Sequence, residues 1–508
     1  MPPSDTILPI RVEADPTMEE TATSYAGLLP YLELWGALGM PGAVDKLVHI
    51  CGRQGWLDRQ IVQAMVLLNL AGGDCVSDLE RLEADGGLCA LVRQAEVMGM
   101  NRQERREMGR RFRGGRTRTF PAATQVHNFL EACHSSEEEA KRLEGKAFIP
   151  APNEHLRGLQ GLNRELIRKL QHAHCQTTAT LDGDATLVET YTHSAKHCYE
   201  HYRAYQPFQV WWAEQQVVLH SEFRDGNVPA GHQVTRVMQE ALSYLPPRVE
   251  KVFTRQDSAA YQVEFLAWCE RAEAHPQVGR IEFTVSVDIT PEFRGAVAAV
   301  KEWTPEYRRA RTGPQATGRE YAEVVFVPNA QATRADLREP LRYLAMRERL
   351  GEQLSLLEAG EQPSLPFPII TVGQARYKLS AIVTNRREEA AGELLRWHYE
   401  RCGKSEEAHA IMKEDFAGGQ LPSAKFGANA AWWALLVLAM NLQMVMKRLV
   451  LGDPWVKKRM KAIRFALIGQ AGRLLRHARQ LYVRVPRIVA EWFATLRARI
   501  RGLCLVAT

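Results

Sequence analysis

The chain has 508 residues, 45% of them hydrophobic, so it can bury a large core and is long enough for three or more structural units. Lys and Arg together number 65 against 59 for Asp and Glu, which gives a formal net charge of +6 and a pI near 8.8. These values exclude a disordered chain. They also make the protein only mildly basic, so the distribution of charge is more informative than its sum.

The nine cysteines are scattered without a CxxC spacing, at positions 51, 75, 89, 133, 175, 198, 269, 402 and 504. An odd number without a pattern argues against a disulfide framework and predicts a reducing compartment, the cytoplasm. The sequence has no Walker lysine loop and no glycine-rich dinucleotide turn, so neither ATP nor NAD is implied. The N-terminus lacks the charged and apolar segments of a signal peptide.

The first part of the chain is predicted to be a tail followed by helices. Residues 1–25 are polar and acidic without a period, which predicts a flexible tail. From residue 26 to about 93 the apolar residues recur with helical spacing. Leu57 and Ile61 mark one apolar face of a helix that is predicted to stop at Gly72. The sequence therefore predicts a small helical domain after the tail.

Two regions concentrate positive charge. Eight arginines lie between residues 102 and 118, next to the paired Gly114 and Gly115, and this run predicts a flexible basic arm. The region 451–508 is also rich in Lys and Arg and is predicted to be helical. Both regions are candidate surfaces for DNA phosphates, and the alternative is that either one is a solvated face.

Two strand-like runs in the middle of the chain carry acids. The apolar, β-branched run 180–188 contains Asp182 and Asp184, and a carboxylate on a buried strand is costly unless it is paired or bound to a metal. A second run, 250–257, ends on Asp257 and passes into a helical pattern. Two strands therefore offer a carboxylate each.

Further along, strands and then helices are predicted. Apolar runs at 208–212 and 217–223 predict a hairpin, and 289–388 alternates strand-like runs with Gly, Pro and Arg. Tyr399, Glu406 and Lys413 are spaced by seven residues, so they lie roughly on one face of any helix that carries them. Glu406 is the third candidate carboxylate.

This order of two strand aspartates and a helix glutamate resembles the DDE transposases, whose catalytic core is ribonuclease-H-like. From about residue 26 to 450 the chain is similar to insertion-sequence family 1380, a branch of the insertion-sequence 4-like group. The similarity rests on three segments, LDGDATLV, RQDSAAYQVEFLAW and LLRWHYERCGKSEEAHAIMKEDFAGGQLPSAKFGANAAWW. It implies an α/β fold, a ribonuclease-H-like catalytic core with a β-rich insertion, plus helical N-terminal and C-terminal regions.

The resemblance also implies a division of the chain. Its segments are a flexible tail (1–25), a helical DNA-binding domain with a basic arm (26–120), a helical connector (121–175), the first half of the catalytic core (176–288), a β-rich insertion (289–388), the second half of the core (389–450) and a basic helical C-terminal region (451–508). For the N-terminal domain, a packing or dimerisation module is the alternative.

The activity implied by the resemblance is that of a DNA transposase. It would bind the terminal inverted repeats of an insertion sequence, cleave DNA at the element ends and join them to target DNA by two-metal-ion phosphoryl transfer. Asp184, Asp257 and Glu406 would hold Mg²⁺, or Mn²⁺ in its place. The protein would act on double-stranded DNA as a homodimer or higher oligomer, in a prokaryotic cytoplasm and associated with the nucleoid.

The resemblance further implies DNA contacts near the catalytic glutamate. A Tyr-Arg-Glu-Lys signature surrounds that residue in the insertion-sequence 4-like group, and Tyr399, Glu406 and Lys413 match it. The expected arginine position holds Cys402, with Arg401 beside it. The DNA-binding candidates are Tyr399, Arg401, Lys413 and Lys425.

Alternatives remain for each carboxylate. Asp182 and Asp184 point to the same face of a strand, so geometry does not separate them. The Asp-Ala-Thr motif of the family favours Asp184. Glu407 competes with Glu406. Asp257 has the alternative role of capping the helix that follows it.

Other features have two interpretations as well. A zinc site is the alternative for the cluster of His193, His197, Cys198 and His201. Base stacking competes with core packing for Trp397, Trp432 and Trp433. The uncharged stretch 426–446 is long enough to span a bilayer, but it contains Asn and Gln and is interpreted as a buried helix. The rival functions are a catalytically silent DNA-binding protein and a nuclease without strand transfer.

Overall fold

The computed structural model describes residues 15–506 except 144, 311–312, 335–336, 338, 351–366, 373 and 479. Most of the predicted tail and the proline-containing stretch 362–366 therefore lie outside the described residues. The chain forms two compact units. The first combines the residues up to 135 with 152–166 and 414–508, and the second combines 136–151 with 167–413.

The helices, in chain order, are α1 (Pro16–Glu19), α2 (Leu29–Ala37), α3 (Met40–Leu47), α4 (Asp58–Ala71), α5 (Leu79–Glu83), α6 (Gly86–Glu96), α7 (Arg102–Arg110), α8 (Ala123–Glu131), α9 (Ser136–Ala140), α10 (Glu154–Ala173), α11 (Val234–Ser243), α12 (Val263–Glu270), α13 (Pro291–Ala298), α14 (Asn329–Ala332), α15 (Ala391–Tyr399), α16 (Lys404–Ala410), α17 (Phe426–Val445), α18 (Asp453–Val456), α19 (Met460–Ile463) and α20 (Arg487–Val506).

The strands are β1 (Ala22–Thr23), β2 (Thr178–Ala185), β3 (Val188–Glu189), β4 (Lys196–His197), β5 (Arg203–Tyr205), β6 (Phe208–Trp212), β7 (Val217–Glu222), β8 (Lys251–Gln256), β9 (Glu282–Ser286), β10 (Thr304–Ala310), β11 (Gly313–Val324), β12 (Arg342–Arg349), β13 (Ile369–Val372), β14 (Ala375–Thr384), β15 (Gly472–His477) and β16 (Gln480–Arg484).

One mixed sheet of ten strands organises the second unit. Its order is β10-β11-β12-β14-β9-β8-β2-β6-β7, with β13 paired to β14. β2, β8 and β9 are mutually parallel, and the other neighbours are antiparallel. The predicted hairpin is confirmed as β6 and β7. This arrangement puts the three parallel strands in the middle of the sheet.

The stretch predicted as a β-rich insertion carries β10 to β14. These strands do not form a separate sheet, because β14 pairs with β9 through Thr384↔Thr284, Val383↔Val285 and Ile382↔Ser286. The β-branched and aromatic residues in these strands favour that extended pairing. The insertion is therefore continuous with the central strands through backbone hydrogen bonds.

Helix α17 is buried along almost its whole length and packs against α4 and α8. Two buried side-chain bonds tie it to its neighbours, from Tyr31 to Gln443 and between Asn441 and Asn163. The helical stretch Phe426–Leu451 is long and apolar enough to cross a membrane, but 78% of its apolar window is buried in the structure. Its burial is that expected for a core helix.

Helix α4 shows how local sequence sets the boundaries in this unit. The Gln60 side chain accepts a hydrogen bond from the backbone N–H of Leu57 at 3.0 Å, which satisfies a donor at the helix start. The helix ends at Gly72, whose φ of 98° suits glycine. The predicted stop is confirmed.

The basic arm differs from its prediction, because residues 102–110 form helix α7. Arg111 donates to the carbonyls of Gly55 and Trp56, and Arg116 pairs with Glu96. These bonds fix the end of the run, so the prediction of a flexible arm is wrong here. The exposed arginines of the helix itself remain available to solvent.

Two further predictions are corrected at the chain ends. Within the predicted tail, Pro16–Glu19 is helical, and Ala22–Thr23 pairs with β15. The C-terminal region is not helical throughout, because β15 and β16 form an antiparallel hairpin. The β-branched and aromatic pair Tyr482 and Val483 favours a strand there.

Gly27 provides a test of the packing in the first unit. A Cβ at this position would lie 1.7 Å from the carbonyl oxygen of Leu467, which is backbone and cannot rotate away. We expect Gly27→Ala to lower the free energy of unfolding by about 3 kcal/mol, since overpacking forces the backbone to shift.

Urea unfolding followed by circular dichroism measures this effect. The control is Gly42→Ala, because Gly42 lies in α3 with open space around its Cβ position. This control is expected to leave stability unchanged or to raise it by up to about 1 kcal/mol. Equal effects of both substitutions would contradict the packing described for Gly27.

Candidate active site

Three parallel strands end side by side, and an acidic residue stands at or just beyond the end of each. The register of β2 with β8 ends at the pair Gly183↔Gln256. Asp184 follows Gly183 on the first strand, and Asp257 follows Gln256 at the end of the second. β9 runs parallel to β8, and Asp288 lies two residues beyond its end. Because the carboxyl ends of parallel strands meet at one edge of a sheet, the three acids lie along that edge.

Gly183 separates the two candidate aspartates of β2 and faces the opposite side. A Cβ there would lie 2.2 Å from Oε1 of Gln256. Gln256 is buried, and its amide donates to Thr254 Oγ1 at 2.6 Å. Glycine at 183 therefore lets the end of β8 pack closely against β2.

Asp182 is held in a buried ion pair with Arg255 of β8. Its two carboxylate oxygens accept hydrogen bonds from Nε and Nη2 of Arg255, each at 2.7 Å. Nη1 of Arg255 donates to the carbonyl of Trp397 at 2.7 Å. Burial raises the pKa of Asp182, and the bonds from Arg255 oppose that rise. Both oxygens of Asp182 are engaged by one guanidinium, as expected of a structural carboxylate.

Asp184 lies on the same face but remains 23% exposed. Its Oδ1 accepts from the N–H of Ala185 at 2.9 Å, and its Oδ2 lies 3.9 Å from Nη2 of Arg401. Burial raises the pKa of Asp184 to about 6, Arg401 opposes the rise, and the negative charges of Asp257 and Glu406 add to it. Asp184 is thus electrostatically coupled to the other two candidate carboxylates.

Asp257 does cap the short helical turn that follows it. Its Oδ1 accepts from the N–H of Ala259 at 3.1 Å. Burial raises the pKa of Asp257, Arg401 lowers it, and the negative charge of Asp288 raises it. The capping bond engages Oδ1, so it is compatible with a second role through Oδ2.

Asp288 is an acid at this edge that sequence reasoning missed. It is exposed, and its charge acts on Asp257 and on the hydroxyl of Tyr261. The signal was available, because Asp288 directly follows a strand-like run, as Asp257 does.

Glu406 lies in the first turn of α16 and is exposed. Its Oε2 accepts from the N–H of Gly403 at 2.6 Å, so in this structure the side chain caps its own helix. Its charge still acts on Asp184 and on His409. Glu407 is also exposed but is not among the charges that act most on Asp184.

His409 follows Glu406 by one helical turn and was also missed. It is 8% exposed, and burial lowers its pKa to about 4, with the positive charges of Lys413 and Arg401 adding to that effect. Its imidazole is therefore neutral at pH 7. A buried histidine this close to Glu406 contributes polarity to the site without a net charge.

Arg401 is the cation that faces the carboxylates of Asp184 and Asp257. Its side chain is 8% exposed, and Nη2 lies 3.4 Å from the carbonyl oxygen of Gly183. Its Nε is buried and has no hydrogen-bond partner among the described residues, a situation that costs about 1–3 kcal/mol. Arg401 is therefore held by one long hydrogen bond and by attraction to the carboxylates, with one donor unused.

The remaining DNA-binding candidates lie in different surroundings. Tyr399 packs against a hydrophobic cluster that includes Leu344 and Leu395, and burial raises its pKa to about 12. Lys413 is half-buried, with Nζ 3.4 Å from a backbone carbonyl at Leu187. Lys425 belongs to the first unit, where it pairs with Glu131 at 2.6 Å. Of the four candidates, Arg401 is the one placed beside Asp184.

The structure gives little support to the zinc and base-stacking interpretations. His193, His197 and His201 are not on a helix, and Nδ1 of His197 contacts the carbonyl of His201 at 3.2 Å. Trp432 and Trp433 are each 1% exposed, which confirms core packing for both. The histidine spacing therefore does not create a shared helix face for zinc.

The fit of the acids to a divalent ion is partial. Within the described part of the chain, no group of three His, Cys, Asp or Glu side chains is placed to hold a metal ion. However, Asp184 and Asp257 supply hard oxygen donors on adjacent strands, and a guanidinium with an unpartnered donor balances their charge. Glu406 would complete the set by releasing Gly403. The donor chemistry, carboxylate oxygens on neighbouring strands, suits a divalent cation.

Substitution of Asp182 tests its structural role. We expect Asp182→Asn to lower the free energy of unfolding by about 3–5 kcal/mol, because Arg255 is left buried without its counter-charge. Chemical denaturation of the purified variant measures this, with Asp184→Asn on the same strand face as the control. A loss of similar size in both variants would contradict the separate roles of the two aspartates.

Asp184 is expected to show the opposite behaviour, with a defined pH dependence. Its pKa rises from 3.8 in the unfolded chain to about 6 on folding, so folding is penalised above pH 6 by up to about 3 kcal/mol, and the penalty disappears below pH 4. Asp184→Asn should therefore be more stable than wild type at pH 7.5 and equal to it near pH 4. Urea titrations in chelator at both pH values test this, and a difference independent of pH would refute it.

Comparison with known proteins places this site in a family. Residues 19–327 and 370–504 match the family described as Transposase DDE domain group 1. No match was found among curated protein sequences. Among solved structures, the chain is similar to piggyBac transposase in a synaptic complex with hairpin DNA, at 10% identity and a TM-score of 0.41, covering 96% of this chain and 83% of that one. Since the family match covers most of the chain and includes Asp184, Asp257 and Glu406, the chain belongs to the DDE transposases of group 1.

Proposed function

We propose that this protein is a DNA transposase that binds the terminal inverted repeats of an insertion sequence, cleaves DNA at the element ends and joins those ends to target DNA. One observation supports this most directly. Asp184 lies on β2, Asp257 directly follows the adjacent parallel strand β8, and the charges of Asp257 and Glu406 both act on Asp184, in a chain of the DDE transposase family.

The proposed fold of the catalytic core is ribonuclease-H-like. The strand order β7-β6-β2-β8-β9 supports it, with β6 antiparallel to the other four strands. In such a sheet, ligands bind beyond the carboxyl ends of the parallel strands. That is the edge at which Asp184 and Asp257 lie.

Asp184, Asp257 and Glu406 would together hold Mg²⁺, or Mn²⁺ in its place. When bound, two such ions stabilise charge on the entering and leaving oxygens of a phosphodiester. The chain contributes geometry, because Asp184 is fixed by the N–H of Ala185 and Asp257 by that of Ala259. Glu406 would have to release its hydrogen bond from the N–H of Gly403 in order to join the two aspartates.

The surroundings of these acids suit a DNA phosphate. Arg401 is buried beside Asp184, and a guanidinium matches phosphate geometry through its planar fork of donors. Displacement of Arg401 from Asp184 would direct its unpartnered Nε toward an incoming phosphate. Arg401 would thus balance the carboxylates before DNA binds and contact the DNA afterwards.

The more specific assignments rest on the sequence motifs. The three segments around residues 181–188, 255–268 and 394–433 support insertion-sequence family 1380. We propose that the active form is a homodimer or higher oligomer on paired DNA ends, working in the cytoplasm of a prokaryote. An assembly of two or more copies would supply one active site for each of the two element ends.

Excision of a marked element with native ends tests the function. Wild type is compared with Asp184→Asn, Asp257→Asn and Glu406→Gln, with Glu407→Gln as the matched control next to Glu406. We expect excision and strand-transfer products for wild type and for Glu407→Gln. The three proposed ligand variants should lose more than about 100-fold of this activity, since removing a ligand removes charge stabilisation in the transition state.

The outcomes separate the rival functions. Cleavage without joined products would indicate a nuclease without strand transfer. DNA binding without cleavage by well-folded wild-type protein in Mg²⁺ or Mn²⁺ would indicate a catalytically silent DNA-binding protein. Full activity of Glu406→Gln with loss of activity in Glu407→Gln would exchange the roles of the two glutamates.

A further inference from the structure

The hairpin of β15 and β16 presents an exposed basic face. Its two strands, Gly472–His477 and Gln480–Arg484, are antiparallel. The short strand β1 pairs with the other edge of β15. We call these eleven residues the basic ribbon. β16 is an edge strand, so the ribbon is bordered by a strand on one side only.

The register determines which side chains share the exposed face of the basic ribbon. Leu474 is 3% exposed and marks the inner face. The alternate residues, which pair as Arg473↔Arg484, Leu475↔Tyr482 and His477↔Gln480, therefore lie on the outer face. Tyr482 is 45% exposed there.

Two arginines stand directly opposite each other on this face. Like charges at opposed positions of antiparallel strands destabilise the pairing. Within the described residues, the side chain of Arg484 makes no hydrogen bond or ion pair, and Arg473 has no acid within ion-pair distance, although its charge lowers the pKa of Asp15. Asp15 is itself engaged by the N–H and hydroxyl of Thr17. The repulsion between Arg473 and Arg484 is therefore not relieved by a close acid.

The surrounding sequence carries no acid that could relieve it. Residues 454–490 contain no Asp or Glu and ten cations, namely Lys457, Lys458, Arg459, Lys461, Arg464, Arg473, Arg476, Arg479, Arg484 and Arg487. Such a one-signed segment attracts a polyanion and repels acidic surfaces.

Other arginines of this region are used inside the protein, which makes the basic ribbon distinct. Arg459 pairs with Glu414 and Asp415, and Arg464 donates to backbone carbonyls at Asn69 and Leu70. Arg497 and Arg499 are engaged in the same way, by Glu33 and by the carbonyl of Val450. By contrast, Arg473 and Arg484 are exposed, and neither has a carboxylate within ion-pair distance among the described residues.

We propose that the outer face of the basic ribbon binds the phosphate backbone of double-stranded DNA, with Arg473 and Arg484 as the central contacts and Tyr482 packing beside them. This rests on the proposed function, because it names the surface by which the transposase holds its DNA away from the carboxylates. Arginine side chains are frequent donors to the phosphate oxygens of DNA, and such contacts hold a protein on the duplex.

Charge complementarity makes double-stranded DNA the occupant instead of a second copy of this chain. A second basic ribbon paired at the β16 edge would place further arginines beside Arg484 and increase the repulsion. A DNA phosphate makes the electrostatic interaction favourable, because its negative charge between Arg473 and Arg484 attracts both guanidinium groups. Contacts of this kind are independent of base sequence.

The test measures binding of full-length protein to a short fluorescein-labelled DNA duplex by fluorescence anisotropy, in chelator to prevent cleavage. Wild type is compared with Arg473→Gln/Arg484→Gln across roughly 50 to 200 mM salt. The matched control is Arg497→Gln/Arg501→Gln, which removes the same charge from helix α20. We expect the ribbon variant to bind at least about 10-fold more weakly and its log–log salt slope to fall by about 2, against little change in the control.

The folding of the variants is an independent readout. Because the two arginines repel each other, the ribbon variant should have a Tm equal to or above that of wild type, so weaker binding cannot be attributed to unfolding. An unchanged Kd and salt slope in a folded ribbon variant would overturn the proposal. A change of oligomeric state with unchanged DNA binding would also overturn it, by assigning the surface to self-association.

Failure of this proposal is distinguishable from failure of the proposed function. If wild type does not bind duplex DNA at all, the transposase assignment fails. If wild type and the ribbon variant bind and excise equally, only the basic ribbon assignment fails. Equal losses in the ribbon variant and the α20 control would refute it too, because the effect would then follow net charge and not position.

Discussion

The buried pair of Asp182 and Arg255 is the contact on which the candidate site depends. It joins β2 to β8 directly behind the two acids at the strand ends, and through the carbonyl of Trp397 it joins both strands to α15. Because both charges are desolvated, neither tolerates loss of the other. The same guanidinium therefore fixes the spacing of the strands and the start of the segment that carries Arg401 and Glu406.

The charges at the strand ends are less well satisfied than this buried pair. Asp184 and Asp257 repel each other, and Arg401 offsets part of that repulsion from a position with few hydrogen bonds. The unliganded site is consequently destabilised by charge repulsion and by an unsatisfied hydrogen-bond donor. A cation or a phosphate has an immediate effect there because it removes an existing repulsion or an unsatisfied donor.

Part of this organisation is readable from the sequence. The strand acids and the β6–β7 hairpin follow from runs of β-branched and apolar residues bounded by turns, and the stop of α4 follows from Gly72. The choice between Asp182 and Asp184 did not follow from periodicity, because both lie on one face. It depends on Arg255, which lies 73 positions away and comes into contact only through the parallel pairing of β8.

The errors have physical causes as well. The arginine run at 102–118 was too polar to be predicted as packed, yet Arg111 and Arg116 are held by backbone carbonyls and by Glu96, partners that lie far away in the sequence. The basic ribbon was predicted to be helical because its arginines and leucines also suit a helix. Pairing with β1, which comes from the other end of the chain, stabilises the strand conformation instead.

The pairing of β14 with β9 has a consequence for the order of events during synthesis. The partner of Ser286 is Ile382, and Glu406 follows later still, so a ribosome must complete most of the chain before the central sheet closes on this side. Contacts that distant in sequence form slowly. A nascent or truncated polypeptide that ends before this pairing therefore carries Asp184 and Asp257 without β14 and without the helix of Glu406, so the full set of candidate carboxylates exists only once Glu406 has been translated.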